Sequence, residues 1–238
     1  MHRFFINPDE MKDQTVVLTG ENAYHGNVLR LRAGEEIVVA MGDGFDHRCA
    51  VTQVDKREIH ANVTAKLENE TELPVKITLF QALPKGDKMA DIIEFAVELG
   101  VHSIVPVETA RCLAKGDKAE RWQKIAEAGA KLSHRAYIPQ IGQICSLEEA
   151  IAQAQALDMP FACFEGEKTY NLPGLLQGKS PATIGFFVGP EGGFDYDEVD
   201  LFHKSIIPTI TLGKRILRTQ SAAACVLAGI NFWQSMAK

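Results

Sequence analysis

Few residues of this chain have types and spacing that could do chemistry, and several familiar constellations are incomplete. Gly178-Lys179-Ser180 ends like a phosphate-binding loop, but the G-x-x-x-x-G-K pattern needs glycine at position 173, where the chain has Pro173. Gly42 and Gly44 open a G-x-G whose next glycine position holds His47, in a β-rich stretch, so no dinucleotide fingerprint exists. There is no G-x-S-x-G and no H-E-x-x-H, and the seven histidines (2, 25, 47, 60, 102, 134 and 203) stand singly. That distribution argues against serine hydrolysis and a zinc centre. What stands out is Gly189-Pro190-Glu191-Gly192-Gly193-Phe194, with three glycines in five residues. Such density costs folding entropy and occurs where backbone takes positive φ or comes close to a ligand. A further glycine, Gly213, precedes Lys-Arg-Ile-Leu-Arg-Thr-Gln-Ser (214–221). Two glycine-bearing loops with exposed backbone suit a neutral or cationic nucleoside cofactor, because a phosphate would want more donors and a lysine. The competing reading is a tight turn followed by an ordinary strand-to-helix connection.

The elements around these loops must place them. From Val75 onward, strand-like and helix-like segments alternate. VKITLFQAL (75–83) precedes a helix in which Met89, Ile92, Ile93, Ala96 and Val97 share a face, with Gly100 as its stop. VHSIVPV (101–107) leads to a helix over about 118–134, and IPQIGQI (138–144) to one opened by the capping box Ser146-x-x-Glu149. PFACF (160–164), TIGFFV (183–188) and PTITL (208–212) complete six strands, with a second capping box at Asp195-x-x-Glu198 and a last helix from Gln220 to Met236. Such alternation predicts a parallel sheet covered on both faces, and ligands of such sheets bind beyond the carboxyl ends of strands. The glycine loop lies at such an end. The first 70 residues differ: Glu36–Met41, Arg48–Val54 and Ile59–Leu67 are β-rich runs separated by turn signals, which predicts a small antiparallel barrel or sandwich. The polar segment 68–74, ending in Pro74, is the expected linker between domains 1–70 and 74–238.

Composition narrows the partners. The formal charge of −6 argues against a protein that coats nucleic acid through bulk charge. Local patches remain: residues 111–135 carry seven Lys/Arg against three acids, and 204–218 carry four and no acid. A solvated face is the plain alternative for each. Five cysteines with no C-x-x-C, and a first segment MHRFFINPDEMKD unlike a signal peptide, fit a reducing cytoplasm. The most apolar run, Ser221 to Trp233, is too short for a bilayer crossing and reads as a buried helix, with no membrane role.

VGPEGGF (188–194) together with LGKRILRTQSAA (212–223) resembles the signature of the SPOUT methyltransferases, specifically the family that methylates N3 of a uridine in 16S ribosomal RNA. MHRFF at the start, HGNVLRLRAGEE (25–36), LPKGDKMADIIEFAVELGV (83–101), VPVETARC (105–112) and ERWQKIAEAGAKLSHR (120–135) agree, so the resemblance spans nearly the whole chain. It implies an α/β fold: an N-terminal PUA-like β-barrel that binds RNA, a C-terminal domain with a trefoil knot, and a homodimer. It implies S-adenosyl-L-methionine as cofactor and no metal. It places the cofactor among Phe164, Glu165 and Gly166, Gly189, Gly192 and Gly193, and Leu212, Gly213, Ile216 and Leu217. Two departures stand out. The family usually reads L-R-T-E-T where this chain has Leu217-Arg218-Thr219-Gln220-Ser221, and often Q-S-G-R where it has Leu132-Ser133-His134-Arg135.

Methyl transfer from a sulfonium demands alignment above all, and uracil N3–H must lose its proton before attack. Arg218, beside the cofactor loop, is the first candidate to stabilise the resulting anion, with a phosphate contact as its alternative role. Glu191 is the second candidate, as proton acceptor, with a loop-tying carboxylate as the alternative. Lys85, Lys88, Arg111, Arg121 and Arg135, with Arg3, Arg30 and Arg32 from the first domain, are expected to meet RNA phosphates. Trp122 and Trp233 fall on apolar helix faces and are expected in the core. Competing functions are ribose 2′-O methylation of RNA and a non-catalytic ribosome-assembly module.

Overall fold

The computed structural model describes residues 1–112 and 118–236; Lys115 and Asp117 of the basic run lie outside them. The chain forms two compact units, residues 1–72 with 130–138, and residues 73–129 with 139–238.

In the first unit the β-rich runs become β4 (Glu36–Ala40), β5 (Phe45–Val54) and β6 (Glu58–Glu68), after β1 (His2–Phe5), β2 (Met11–Lys12), β3 (Thr15–Thr19) and helix α1 (Gly20–Val28). The six strands run in the order β1-β4-β5-β6-β3-β2, antiparallel except for the β1–β4 pair. Alternate residues, among them Phe4, Val16, Leu18, Ile37, Val39, Val51 and Ile59, turn into one core. Register shifts at Arg48/Cys49 and Val51/Gln53 are bulges that sharpen the local twist and curl the sheet round that core. Helix α1 carries no helical signal, because GENAYHGNV is rich in poor helix formers and buries only Ala23 and Gly26. Of the segment expected to be a linker, residues 68–72 belong to this unit. Asn69 Nδ2 donates to Asp46 Oδ1 (2.8 Å) and to the His134 carbonyl (3.1 Å).

The second unit is built on β7 (Lys76–Ala82), α2 (Lys88–Glu98), β8 (Ser103–Glu108), α3 (Ala119–Leu132, whose last three residues belong to the first unit), β9 (Gln140–Ile141), β10 (Cys145–Ser146), α4 (Leu147–Ala154), β11 (Met159–Cys163), α5 (Leu172–Leu176), β12 (Thr183–Val188), α6 (Tyr196–Lys204), β13 (Thr209–Ile210) and α7 (Thr219–Met236). The strands pair in the order β10-β8-β7-β12-β11-β13, with β9 also on β8, and every pair is parallel. Of the expected strand 138–144 only Gln140–Ile141 (β9) pairs, and β10 follows it at Cys145–Ser146. Strand β12 is apolar on both sides because both sides are covered. Phe187 stacks on Phe80 (4.5 Å) beneath α4 and α6, while Phe186 lies against Phe161 (5.8 Å), equally buried. Helices α2 and α7 are tied together by Asn231 Nδ2, which donates to the Leu99 carbonyl at 2.7 Å. Among the described residues no helix is long and apolar enough to cross a membrane.

Four helices stop in the same way. The residue two past the end is left-handed and the next N–H returns to a carbonyl in the last turn, which satisfies an orphan acceptor. Gly100 (φ 87°) fills the left-handed position after α2, as the sequence predicts, but Arg30 (58°), His134 (58°) and Ile206 (61°) fill it after α1, α3 and α6. The returning bonds are Val101 N to Ala96 O (2.9 Å), Leu31 N to Gly26 O (3.1 Å), Arg135 N to Ala130 O (3.0 Å) and Ile207 N to Phe202 O (2.9 Å). His134 is thus the residue at the position where the resembled family reads glycine.

Candidate active site

A cavity of 1710 Å³ opens in the second unit where β11, β12 and β13 end, walled also by α5 and α7. Of the residues singled out in the sequence, Phe164, Glu165, Gly189, Gly193, Leu212, Gly213, Ile216 and Leu217 line it, and so do Glu191, Lys88 and Arg218. Gly166 and Gly192 do not. Gly166 packs against the Phe164 ring, and Gly192 turns its carbonyl to Arg111 Nη1 at 2.6 Å. Trp233, expected in the core, is a half-buried part of the wall, whereas Trp122 is buried. Reading the sequence misses Gln81 and Thr219 as parts of this site, and also the α5 wall. A five-residue helix has no periodicity to detect, and the Thr219 that Gln81 meets lies more than a hundred residues away along the chain.

The glycine loop is held from several sides. Gly193 has φ 66°, which favours glycine, and a Cβ there would lie 3.0 Å from Glu165 Cδ and displace that side chain. Thr219 Oγ1 donates to the Gly189 carbonyl (2.8 Å) and accepts from Gln81 Nε2 (2.9 Å), joining the ends of β7 and β12 to the start of α7. Both capping boxes expected from the sequence are present, at Ser146 and Asp195. The second box does more than cap. Glu198, nearly buried, accepts from Asp195 N (2.8 Å) and from Ala110 N (2.7 Å), so one carboxylate joins the start of α6 to the segment after β8.

Glu191 accepts from Lys85 N (3.1 and 3.2 Å) and from Lys88 Nζ (2.6 Å). Partial burial would raise its pKa, but the Lys88 ammonium and the backbone N–H groups of Glu191 and Lys85 outweigh that and hold it below the ordinary value. A carboxylate so engaged is a weak base, and its geometry is that of a clip. Arg218 is exposed at the cavity, and among the described residues nothing accepts from its guanidinium. Gln220 Oε1 is buried in the same wall without a donor. An unmatched acceptor beside a backbone-lined cavity fits a ligand carrying an amino group, while the carboxylates of Glu165 and Glu191 fit a cation better than a phosphate. Among the described residues no cluster of His, Cys, Asp or Glu could hold a metal ion.

The cations expected to meet RNA divide. Arg30 and Arg32 are exposed, as is Lys85. Arg121 pairs with Asp87 (3.1 Å) at the start of α2, where Lys118 joins it (3.5 Å), and Asp87 is correspondingly held below the usual carboxylate range. Arg3 and Arg135 contradict the expectation, for both are buried, at 5% and 1% exposure. Arg3 pairs with Asp46 and donates to the Arg135 carbonyl (3.0 Å), while Arg135 pairs with Glu72 (2.8 Å). Inside the first unit a lone guanidinium would be costly, so these charges are neutralised there and do not reach phosphate.

The sheet and glycine loop lie in a chain of the RNA methyltransferase class: residues 71–231 match the family model described as an RNA methyltransferase domain, and residues 18–64 match an RNA methyltransferase PUA domain. The ribosomal RNA small subunit methyltransferase E of Bacillus subtilis is 31% identical over 98% of this chain and 96% of its own length, and that of Aquifex aeolicus 30% over 96% and 98%. The crystal structure of a ribosomal RNA small subunit methyltransferase E from Neisseria gonorrhoeae, bound to S-adenosyl methionine, superposes with a TM-score of 0.90 at 31% identity, covering 98% of each chain. The chain belongs to the ribosomal RNA small subunit methyltransferase E family.

Proposed function

We propose that the chain is an S-adenosylmethionine-dependent methyltransferase that modifies N3 of a uridine in the 16S ribosomal RNA of the small subunit, in the cytoplasm. The observation that carries this reading is the cavity at the strand ends, walled by glycine-loop backbone and rimmed by the unpaired Arg218, in a chain alike over its whole length to a relative that binds S-adenosyl methionine. Leu212, Ile216 and Leu217, with the backbone of Gly189 and Gly193, would hold the cofactor in this cavity. When bound, S-adenosylmethionine supplies a methyl group on a positively charged sulfur. The chain's own task is to align and ionise the acceptor. Arg218 stabilises the negative charge that spreads over the uracil as N3 loses its proton, and Glu191 holds the loop while solvent takes that proton. Ribose 2′-O methylation and a non-catalytic role are not favoured, since relatives alike over nearly the full chain are named ribosomal RNA small subunit methyltransferase E.

The first unit, with Arg30 and Arg32 exposed, serves RNA phosphate contact, and the second folds with the trefoil knot of its family. A second copy covers the exposed apolar ridge of α7, where Phe232 and Met236 are 71% and 78% exposed. Incubating the purified chain with small ribosomal subunits and methyl-labelled cofactor tests the reading. Label should appear in 3-methyluridine after digestion, whereas label in a ribose-methylated nucleoside, or none, refutes it. Sedimentation should give a dimer at micromolar concentration, and a stable monomer there would remove the second copy from the scheme.

A further inference from the structure

We propose that Lys88, at the cavity wall, and Arg111, outside it, are positioning residues that clamp the glycine loop, so that Gly189 and Gly193 meet the cofactor in one fixed geometry. The inference rests on the reading of the cavity as the S-adenosylmethionine site. A loop with three glycines loses more conformational freedom on ordering than a glycine-free loop of its length, so its shape has to be imposed by neighbours. Two cations do this from different elements. Lys88, at the start of α2, reaches the Glu191 carboxylate (2.6 Å), which also accepts from Lys85 N. Arg111, beyond β8, donates Nη1 to the Gly192 carbonyl (2.6 Å), and its stem lies over Gly192 so closely that a Cβ there would be 3.2 Å from Arg111 Cδ.

Arg111 is itself anchored. Its neighbour Ala110 donates its N–H to the nearly buried Glu198, whose other oxygen caps the helix that follows the loop. The guanidinium therefore bears on Gly192 from a segment fixed to the next element of the same loop, with Asp195 Oδ2 4.0 Å from Nη2. Both side chains are partly exposed and basic, which is why the sequence assigns them to RNA. To hold phosphate, however, they would have to release the loop, because the same ammonium and the same guanidinium edge are already engaged.

The test uses the full chain with Lys88→Met, Glu191→Gln, the double variant of these two, Arg111→Met and Arg111→Lys. Calorimetry reads S-adenosylmethionine affinity, steady-state methylation of small subunits reads KM and kcat against pH, and RNA binding is followed against salt. The clamp predicts that Lys88→Met, Glu191→Gln and Arg111→Met each weaken cofactor binding about threefold to tenfold and raise its KM, with kcat at saturation and the pH profile unchanged. The double variant should be no weaker than its worse single variant, since both remove one contact. Arg111→Lys should recover part of the loss, and the salt dependence of RNA binding should be unaltered.

Unchanged cofactor affinity with a salt slope reduced by about one in Arg111→Met would overturn the clamp in favour of phosphate contact. Loss of kcat at saturation in Glu191→Gln, with an altered pH profile and no matching effect of Lys88→Met, would overturn it in favour of a proton acceptor. Failure of the unsubstituted chain to bind S-adenosylmethionine would overturn the reading of the cavity and the clamp with it. Binding that the variants leave intact would overturn the clamp alone.

Discussion

Gly193 is the position where loop geometry and cofactor affinity should be most tightly coupled. Its φ of 66° is one that alanine adopts at a cost of about 1–2 kcal/mol. The added methyl would also press on the Glu165 carboxylate, whose Cδ would stand 3.0 Å away, but Glu165 is exposed and can swing aside at little further cost. If the bound state needs the loop as it stands, Gly193→Ala should weaken S-adenosylmethionine by about fivefold to thirtyfold, the equivalent of that 1–2 kcal/mol. Gly192→Ala is the internal comparison, because Gly192 has an ordinary φ and its Cβ would meet only the Arg111 stem at 3.2 Å. It should lose about threefold or less. Titration calorimetry on the parent and both variants gives the affinities, and thermal unfolding confirms that the fold is retained. Parental affinity in Gly193→Ala, or a larger loss in Gly192→Ala, would refute the reasoning from backbone geometry.

Ile206, 88% exposed with φ 61° at the end of α6, should be improved by glycine. Relief of about 1–2 kcal/mol against about 0.5–1 kcal/mol for the extra freedom of the unfolded chain predicts a melting temperature higher by a few degrees, and a lower one would contradict the strain. Arg218→Ala should lose most single-turnover methylation at saturating cofactor and enzyme, and Arg218→Lys a smaller share, since a point charge replaces a planar fork of donors. Full rates for Arg218→Ala under saturation would take Arg218 out of the chemistry and leave it a phosphate contact. The Glu191 carboxyl is held below its ordinary pKa, so the tie it makes is complete above the ordinary carboxylate value and is lost as pH falls through the lower one. Cofactor affinity should therefore be flat between about pH 6 and pH 8, and a Glu191-dependent titration inside that window would argue for the proton-acceptor role.

Much of the second unit was legible because its signals are local. The face of Met89, Ile92, Ile93, Ala96 and Val97, the stop at Gly100 and the boxes at Ser146 and Asp195 each need only neighbouring residues to be recognised. The glycine loop was legible as a place. Its inner logic was not: Gly192 and Gly193 look alike in sequence, yet one turns to Arg111 and the other to Glu165. The cations were misread where long-range pairing decides their fate. Arg3 finds Asp46 forty-three residues away, and Arg135 finds Glu72 only when residues 130–138 join the first unit, and nothing in local charge counts announces that. Strands β1 and β3 and helix α1 were hidden for a related reason, since a short segment beside an existing sheet is stabilised by its partners and not by its own pattern.

Whether the chain methylates uridine N3 is decided by mass spectrometry of nucleosides from 16S ribosomal RNA of cells with and without its gene. Loss of 3-methyluridine on deletion, restored by the intact gene and not by one encoding Arg218→Ala, is the result predicted. Unchanged 3-methyluridine, or the loss of a ribose-methylated nucleoside in its place, would contradict it.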